Sequence, residues 1–246
     1  MRRDDVGLWS PAIGAEGRVV AYGHWGRPVL VFPSQEGRRW DFEQNGMVDA
    51  VGGLIEAGRV KLYCVDSFDA GSWMRDDLPL EERARLHERY EDWIVSQVIP
   101  FIHADCGGAG DVLATGCSLG AYHAAILALR RADLVPAALC MSGVYDLSRV
   151  GWGERGLAFH VCNPMDTVTS AHGDHLAWLQ ARLSLQLVVG RGSWEDSTGA
   201  LESTHAFAQA LAHKGIRHGL DVWGHDTPHD WPSWRRQLAH HLPRFC

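Results

Sequence analysis

The stretch from Gly116 to Gly120 reads Gly-Cys-Ser-Leu-Gly, a G-x-S-x-G pattern centred on Ser118. An apolar run, Asp111–Thr115, precedes it, and an alanine-rich stretch with helical spacing follows. In this setting a sharp strand-to-helix turn raises the serine hydroxyl above a sheet at the start of a helix. The pattern and its context therefore predict that Ser118 is a nucleophile. The alternative is a tight turn with an incidental serine, since the pentapeptide alone recurs by chance.

A serine needs a base to take its proton and a carboxylate to orient that base, here in the chain order serine, acid, histidine. Glu195 and Asp196 follow the apolar run Leu185–Val189, so either carboxylate would lie at the end of a strand. His225 and His229 lie between the last apolar run and a final helix. The sequence thus offers two candidate acids and two candidate bases.

Short apolar runs alternate along the chain with longer segments of helical spacing, which predicts strands alternating with helices. Several of these runs are apolar on both faces, as expected for strands covered by helices on both sides. The pattern predicts the α/β class with a doubly wound, mostly parallel central sheet. The predicted strands are Arg18–Tyr22, Pro28–Phe32, Val60–Val65, Asp111–Thr115, Ala137–Met141, Leu185–Val189 and Gly219–Trp223.

Three helices have the clearest signals: Pro79 to about His103, about Leu119 to Arg131, and Pro232 to about Leu242. The stretch around 150–185 has weak periodicity, which predicts a lid-like excursion over the strand ends. No repeat, proline-rich linker or low-complexity tract divides residues 1–246, so we expect a single domain.

The charge balance and the apolar pattern exclude several kinds of partner. Lys and Arg total 23 against 30 Asp and Glu, a net charge of −7 without a strong basic cluster, which argues against nucleic acid. No apolar run is long enough for a membrane span, and no export signal is recognisable. The 6 cysteines have wide, irregular spacing without a C-x-x-C pair. We therefore expect a cytoplasmic protein with reduced cysteines.

The segment His229–Trp234 reads His-Asp-Trp-Pro-Ser-Trp and resembles the histidine-x-tryptophan-x-x-tryptophan signature of the esterase D family. That family groups S-formylglutathione hydrolases, feruloyl and siderophore esterases, and mycolyl transferases. The segment 90–102 resembles the family's helix before the nucleophile strand, so with Pro28–Ser34 and the serine motif the resemblance spans nearly the whole chain. It implies the α/β-hydrolase fold, Ser118 as nucleophile, His229 as base and an acid within Trp194–Asp196.

Between the two carboxylates we favour Glu195, because its longer side chain can reach across from a turn that contains Trp194. Asp196 is the alternative acid, although it could instead cap the helix expected near Gly199. For the oxyanion, the Leu119 amide is expected to be one donor, because it lies at the helix start.

The second donor is expected in the loop after Pro28–Phe32. The family usually carries a histidine–glycine or similar glycine step there, whereas this chain has Pro33-Ser34-Gln35, so the Gln35 amide is our candidate by position and the Ser34 hydroxyl is the alternative donor.

These residues predict a serine carboxylic ester hydrolase for a small-molecule ester, without cofactor or metal. An acyltransferase that uses the same acyl-enzyme is the first alternative, and a non-catalytic binding member of the fold is the second. The histidine-rich segments 172–175 and 225–230 lack the regular spacing of a ligand set. Trp73, Trp152 and Trp194 are candidates for the substrate pocket.

Overall fold

A single sheet of eight strands runs through the part of the chain that the structure, a computed structural model, describes: residues 1–108 and 110–246. The strands are β1 (Arg3–Ser10), β2 (Ala15–Tyr22), β3 (Arg27–Phe32), β4 (Val60–Val65), β5 (Leu113–Cys117), β6 (Ala137–Met141), β7 (Ser184–Val189) and β8 (Arg217–Val222). Their order across the sheet is β1-β2-β4-β3-β5-β6-β7-β8. Strands β3 to β8 pair in parallel, whereas β1 and β2 are antiparallel additions at one edge.

Helices cover both faces of this sheet. The helices are α1 (Asp41–Gln44), α2 (Met47–Ala50), α3 (Gly52–Glu56), α4 (Leu80–Trp93), α5 (Ile99–Asp105), α6 (Leu119–Arg130), α7 (Leu157–Cys162), α8 (Pro164–Ser170), α9 (Gly173–Arg182), α10 (Ala200–His213) and α11 (Trp231–His241). A π-helical segment, Ile94–Val98, joins α4 to α5, and three short 3-10 turns occupy 69–71, 147–149 and 242–245. The predicted α/β class with a mostly parallel sheet is confirmed.

Strand β3 shows how the sheet is buried on both sides. Leu30 and Phe32 pack into the apolar cluster formed with α4 to α10, and Val29 and Val31 pack into the cluster formed with α1 to α3 and α11. Because successive side chains of a strand point to opposite faces, a run of apolar residues fills both clusters. This explains why the inner strands could be recognised as continuous apolar runs.

Strand β1 was not predicted from the sequence. It lies at the edge of the sheet, and most of its side chains are exposed or half-buried, so it lacks the continuous apolar run of the inner strands. The stretch around 150–185 forms α7, α8 and α9, whose apolar residues Phe159, Val168 and Leu179 join the core on one face of the sheet. The single domain and the lid-like role of this stretch stay predictions.

None of the helices within residues 1–108 and 110–246 combines the length and the apolar character that a bilayer crossing needs.

The buried histidine His87 on α4 should make the fold sensitive to acid. Its side chain is 2% exposed among aromatic rings, and neither ring nitrogen has a hydrogen-bond partner among the described residues. Burial, and then the nearby His123 and Arg130, hold the pKa of His87 well below its usual 6.5. Glu91 lies 3.9 Å from His87, but burial raises its own pKa to about 7, so at pH 5 it is mostly protonated and offers little counter-charge.

Because the unfolded chain takes up a proton at His87 below pH 6.5 more readily than the folded chain, the contribution of His87 to stability falls as the pH falls through this range, whereas Glu91, with its raised pKa, contributes in the opposite direction. We expect His87→Phe to become more stable relative to the wild type as the pH is lowered from 7.5 to 5, measured as the free energy of unfolding by urea titration. An unchanged pH dependence in the variant would contradict this.

Candidate active site

The serine of the G-x-S-x-G motif lies in a strained turn. Strand β5 ends at Cys117, helix α6 begins at Leu119, and Ser118 between them has φ +56° and ψ −122°. A Cβ at Gly116 would collide with the backbone of Gly120, and one at Gly120 would collide with the carbonyl oxygens of residues 32 and 33. Both flanking glycines are therefore required for the close approach of this turn to the sheet.

A line of hydrogen bonds connects three of the residues predicted from the sequence. His229 Nε2 lies 3.0 Å from Ser118 Oγ, and His229 Nδ1 lies 3.1 Å from Glu195 Oε2. An ionised carboxylate can only accept, so Nδ1 carries the proton and Nε2 is the acceptor for the serine hydroxyl. The arrangement can therefore draw the proton from Ser118 Oγ and stabilise the charge that forms on the imidazole.

The carboxylate of Glu195 is fully buried and held by further donors. Its Oε1 accepts hydrogen bonds from Ser142 Oγ at 2.6 Å and from the Gly190 amide at 3.2 Å. Ser142 Oγ in turn accepts from Trp234 Nε1 at 3.1 Å, and the Trp234 ring packs edge-on against His229 with centroids 5.0 Å apart. The second tryptophan of the signature thus supports both the acid and the histidine.

These groups come from the carboxyl ends of four neighbouring strands. Ser118 follows β5, Ser142 follows β6, Glu195 lies in the loop after β7, and His229 lies in the loop after β8. The last two loops are joined by the backbone, because the His229 amide donates to Ser193 O at 2.9 Å. Since parallel strands end at the same edge, the sheet brings residues distant in sequence to one place.

The competing residues lie elsewhere. His225 is exposed, and its Nδ1 lies 3.1 Å from Arg191 O, away from the serine. Asp196 is also exposed, and its carboxylate does not cap α10 as we had suggested: the helix starts after Gly199 without a side-chain cap. The reason is that the Asp196 backbone carbonyl, not its side chain, accepts from the Gly199 amide.

Two backbone amides of residues that share a cavity with Ser118 have no acceptor in the described part of the chain and could bind an oxyanion. The Leu119 and Gln35 amides belong to residues that line the same cavity as Ser118. Among the described residues, neither amide donates to an acceptor. Free, fixed N–H groups of this kind can stabilise negative charge that develops on a carbonyl oxygen.

The turn that carries Gln35 is fixed by a buried aspartate that is hydrogen-bonded to a histidine. Glu36 has φ +54°, and its amide donates to Asp69 Oδ2 at 2.9 Å. Asp69 Oδ1 lies 2.8 Å from His123 Nε2, and both side chains are almost completely buried. His123 therefore helps, through Asp69, to hold the loop after β3.

Backbone strain within residues 1–108 and 110–246 is concentrated at this site. The non-glycine residues with positive φ there are Glu36, Ser118, Ser142 and Trp194. Each of them either belongs to the hydrogen-bonded line or lies next to a residue of the site. Left-handed conformations cost about 1–3 kcal/mol each and persist where surrounding contacts impose them, often at functional sites.

Ser118 opens onto a cavity of about 470 Å³, and Trp73 is part of its wall. The other two tryptophans proposed from the sequence do not line it. Trp152 is 56% exposed and donates from Nε1 to Asp76 O, and Trp194 is 62% exposed.

Two groups of potential metal ligands occur in the described part of the chain. Neither group has a hydrogen bond to Ser118, His229 or Glu195. In the first, Arg130 donates to Glu91 at 2.9 Å and to Cys162 at 3.4 Å, so a guanidinium group occupies the ligand atoms beside His87. The second group combines Asp221, His240 and His241.

Most of the polar atoms of this second group take part in hydrogen bonds, although the buried Nδ1 of His241 has no partner among the described residues. Asp221 accepts hydrogen bonds from Trp223 and His241 at 2.9 and 3.0 Å, and His240 is bonded to Arg244.

Ser142 and Asp69 were missed from the sequence. Ser142 directly follows a predicted strand, the position at which a parallel sheet presents functional side chains, and this was the available signal. Asp69 lies in an irregular loop and meets His123 across 54 residues, so no local pattern indicates the pair.

The chain matches one known protein family over most of its length. The model of a family described as "Putative esterase" matches residues 27–245. No curated protein matches the chain in sequence.

Solved structures with similar folds include three that cover almost the whole chain. A ferulic acid esterase is 16% identical over 99% of this chain and 97% of its own, with a TM-score of 0.77. MPT51 (FbpC1) of Mycobacterium tuberculosis has 16% identity, the same coverage and a TM-score of 0.75. An S-formylglutathione hydrolase from Agrobacterium tumefaciens has 14% identity over 98% of this chain and 93% of its own, with a TM-score of 0.74. At these identities the likeness shows the shared fold.

Proposed function

Because the chain belongs to the esterase family whose model spans residues 27–245, we propose that it is a serine carboxylic ester hydrolase acting through an acyl-enzyme on Ser118. The predicted resemblance to this family and its α/β-hydrolase fold is confirmed. The observation that carries the proposed mechanism is the continuous line of hydrogen bonds from Ser118 through His229 to Glu195. This intact line also argues against a non-catalytic binding protein.

In the first half of the reaction, Ser118 Oγ attacks the ester carbonyl carbon while His229 Nε2 takes the hydroxyl proton. The carbonyl oxygen becomes an oxyanion that accepts hydrogen bonds from the Leu119 and Gln35 amides. Glu195 keeps the histidine in the required tautomer and stabilises the imidazolium. When the carbon–oxygen bond to the alcohol breaks, His229 returns the proton to the departing oxygen, which leaves an ester on Ser118.

In the second half, water attacks the acyl-enzyme and His229 takes its proton. The bond to Ser118 Oγ then breaks, the oxygen recovers a proton from His229, and the free acid departs. The proposal also includes that the chain folds as a single domain and that Trp73 forms part of the wall of the substrate pocket.

The proposal predicts that esters of one acid with different alcohols pass through the same intermediate. With methanol added to the purified protein, the ratio of methyl ester to free acid should be the same for ethyl, phenyl and 4-nitrophenyl acetate, because the leaving alcohol has already departed. Product analysis by chromatography measures this ratio, and EDTA should leave the rate unchanged. A ratio that depends on the leaving alcohol would contradict an acyl-enzyme, and acyl transfer without hydrolysis would favour the acyltransferase.

A further inference from the structure

The wall of the cavity beside Ser118 contains one buried cationic side chain, Arg83 of α4. It is 4% exposed. Its Nε donates to Leu78 O at 2.8 Å, and Nη1 donates to Trp73 O at 3.2 Å and to Val150 O at 3.5 Å. Nη2, which has two N–H donors, has no acceptor among the described residues.

Among the described residues no carboxylate oxygen lies within 4.0 Å of the Arg83 guanidinium, and Asp77, whose pKa is lowered mainly by Arg75 and to a lesser degree by Arg83, is hydrogen-bonded to Arg75 instead. The neighbouring arginines in sequence differ: Arg75 pairs with Asp77 at 2.6 Å and Arg85 pairs with Glu81 at 3.4 Å, although both arginines are much more exposed. A buried charge is costly unless it is paired, and backbone carbonyls compensate only part of that cost. An anion placed at Nη2 would supply the missing partner.

We propose, resting on the ester hydrolase function above, that Arg83 binds a carboxylate on the acyl group of the substrate, so that the preferred substrates are monoesters of dicarboxylic acids. The cavity walls include Ser118 and both candidate oxyanion donors but not His229. The departing alcohol must lie at His229 to receive its proton, so the cavity takes the acyl chain.

A monoanion fits this wall better than a dianion. Nη2 offers two N–H groups, which match one carboxylate, and guanidinium–carboxylate hydrogen bonds are among the stronger ones in proteins. Asp76 also lines the cavity, so a phosphate dianion would meet a like charge with only one cation to offset it. The same repulsion should weaken carboxylate binding in the native protein, so Asp76→Asn should strengthen it.

The test compares monoethyl glutarate with the ethyl ester of glutaramic acid, a neutral isostere, by release of ethanol. The wild-type protein should hydrolyse the anionic ester with the higher kcat/KM. Arg83→Gln should lower the anionic-to-neutral ratio about 10- to 100-fold, the range for hydrogen bonds to charged groups. Arg85→Gln is the matched control on the same helix and should leave the ratio unchanged, and Asp76→Asn should raise it.

Arg83 also ties three loop carbonyls together, so its loss could weaken the fold. A purely structural role would lower both rates without moving their ratio, and Arg83→Lys, which keeps the charge but loses the planar fork, should give an intermediate ratio. A wild-type ratio of one or less, or a higher kcat/KM for esters with the carboxylate on the alcohol, would overturn the inference. Neutral esters would still be hydrolysed in that case, whereas failure on every ester would overturn the hydrolase function itself.

Discussion

Replacing Ser118 by alanine should lower ester turnover by roughly six orders of magnitude, the loss found when a triad nucleophile is removed. The variant removes the only oxygen that can attack the carbonyl and form the acyl-enzyme. The fold should persist, because Ser118 Oγ makes its side-chain hydrogen bond to His229 alone among the described residues. Steady-state assays, covalent labelling with a fluorophosphonate and circular dichroism would measure activity, nucleophile and fold separately.

The adjacent Cys117 provides the control. Its side chain is completely buried, and this burial raises the pKa of the thiol well above 9, so it stays protonated and unreactive. Cys117→Ala should therefore keep most of the activity and the labelling. Activity above a few per cent in Ser118→Ala, or loss of activity in a folded Cys117→Ala variant, would rule out Ser118 as the nucleophile.

Replacing His229 by alanine should cost about as much as removing the serine, since a triad acts as one unit. Glu195→Gln should lower turnover about ten-thousandfold, as for the corresponding change in a well-studied triad. The reason is geometric: the introduced side-chain amide would keep its oxygen toward Ser142 and present its N–H₂ to His229 Nδ1, which forces the ring proton onto Nε2. The histidine would then face Ser118 as a donor and could not accept its proton.

The competing histidine and carboxylate, His225 and Asp196, provide the matched controls. His225→Ala and Asp196→Asn change exposed side chains that have no hydrogen bond to the serine, the histidine or the acid. Both variants should stay within a few-fold of the parent in kcat. If His225→Ala were the more damaging histidine variant, or Asp196→Asn the more damaging acid variant, that assignment would be wrong while a serine hydrolase would still stand.

The positions of Ser118, His229 and Glu195 could be predicted because each is tied to a local signal. The serine is flanked by glycines between a strand and a helix, and the histidine begins a tryptophan pattern directly before a helix with proline in its first turn. Buried strands such as β3 and β7 could also be recognised in the sequence, because burial on both faces requires apolar residues along most of the strand. Short motifs around reactive residues and apolar runs that become buried strands can both be recognised within a few consecutive residues.

Arg83 and the Asp69–His123 pair show what local patterns do not contain. Arg83 lies on the core side of α4, in helical step with the buried His87 and Tyr90, although its charge suggests a solvent-facing position. Its environment depends on carbonyls from two separate loops, one of them 67 residues away. The pocket assignments for Trp152 and Trp194 needed the same long-range information, and the structure leaves both side chains exposed.

The placement of the site on four neighbouring strand ends has a consequence for how the chain matures. Ser118 and His229 are 111 residues apart, and His229 lies after the last strand to be synthesised. Contacts of such long sequence separation are slow to form, because the intervening chain must be ordered first. A folding intermediate with β5 to β7 in place would carry the nucleophile and the acid without the base. If the proposed mechanism holds, a nascent chain should therefore not hydrolyse esters before β8 and the loop that carries His229 are in place.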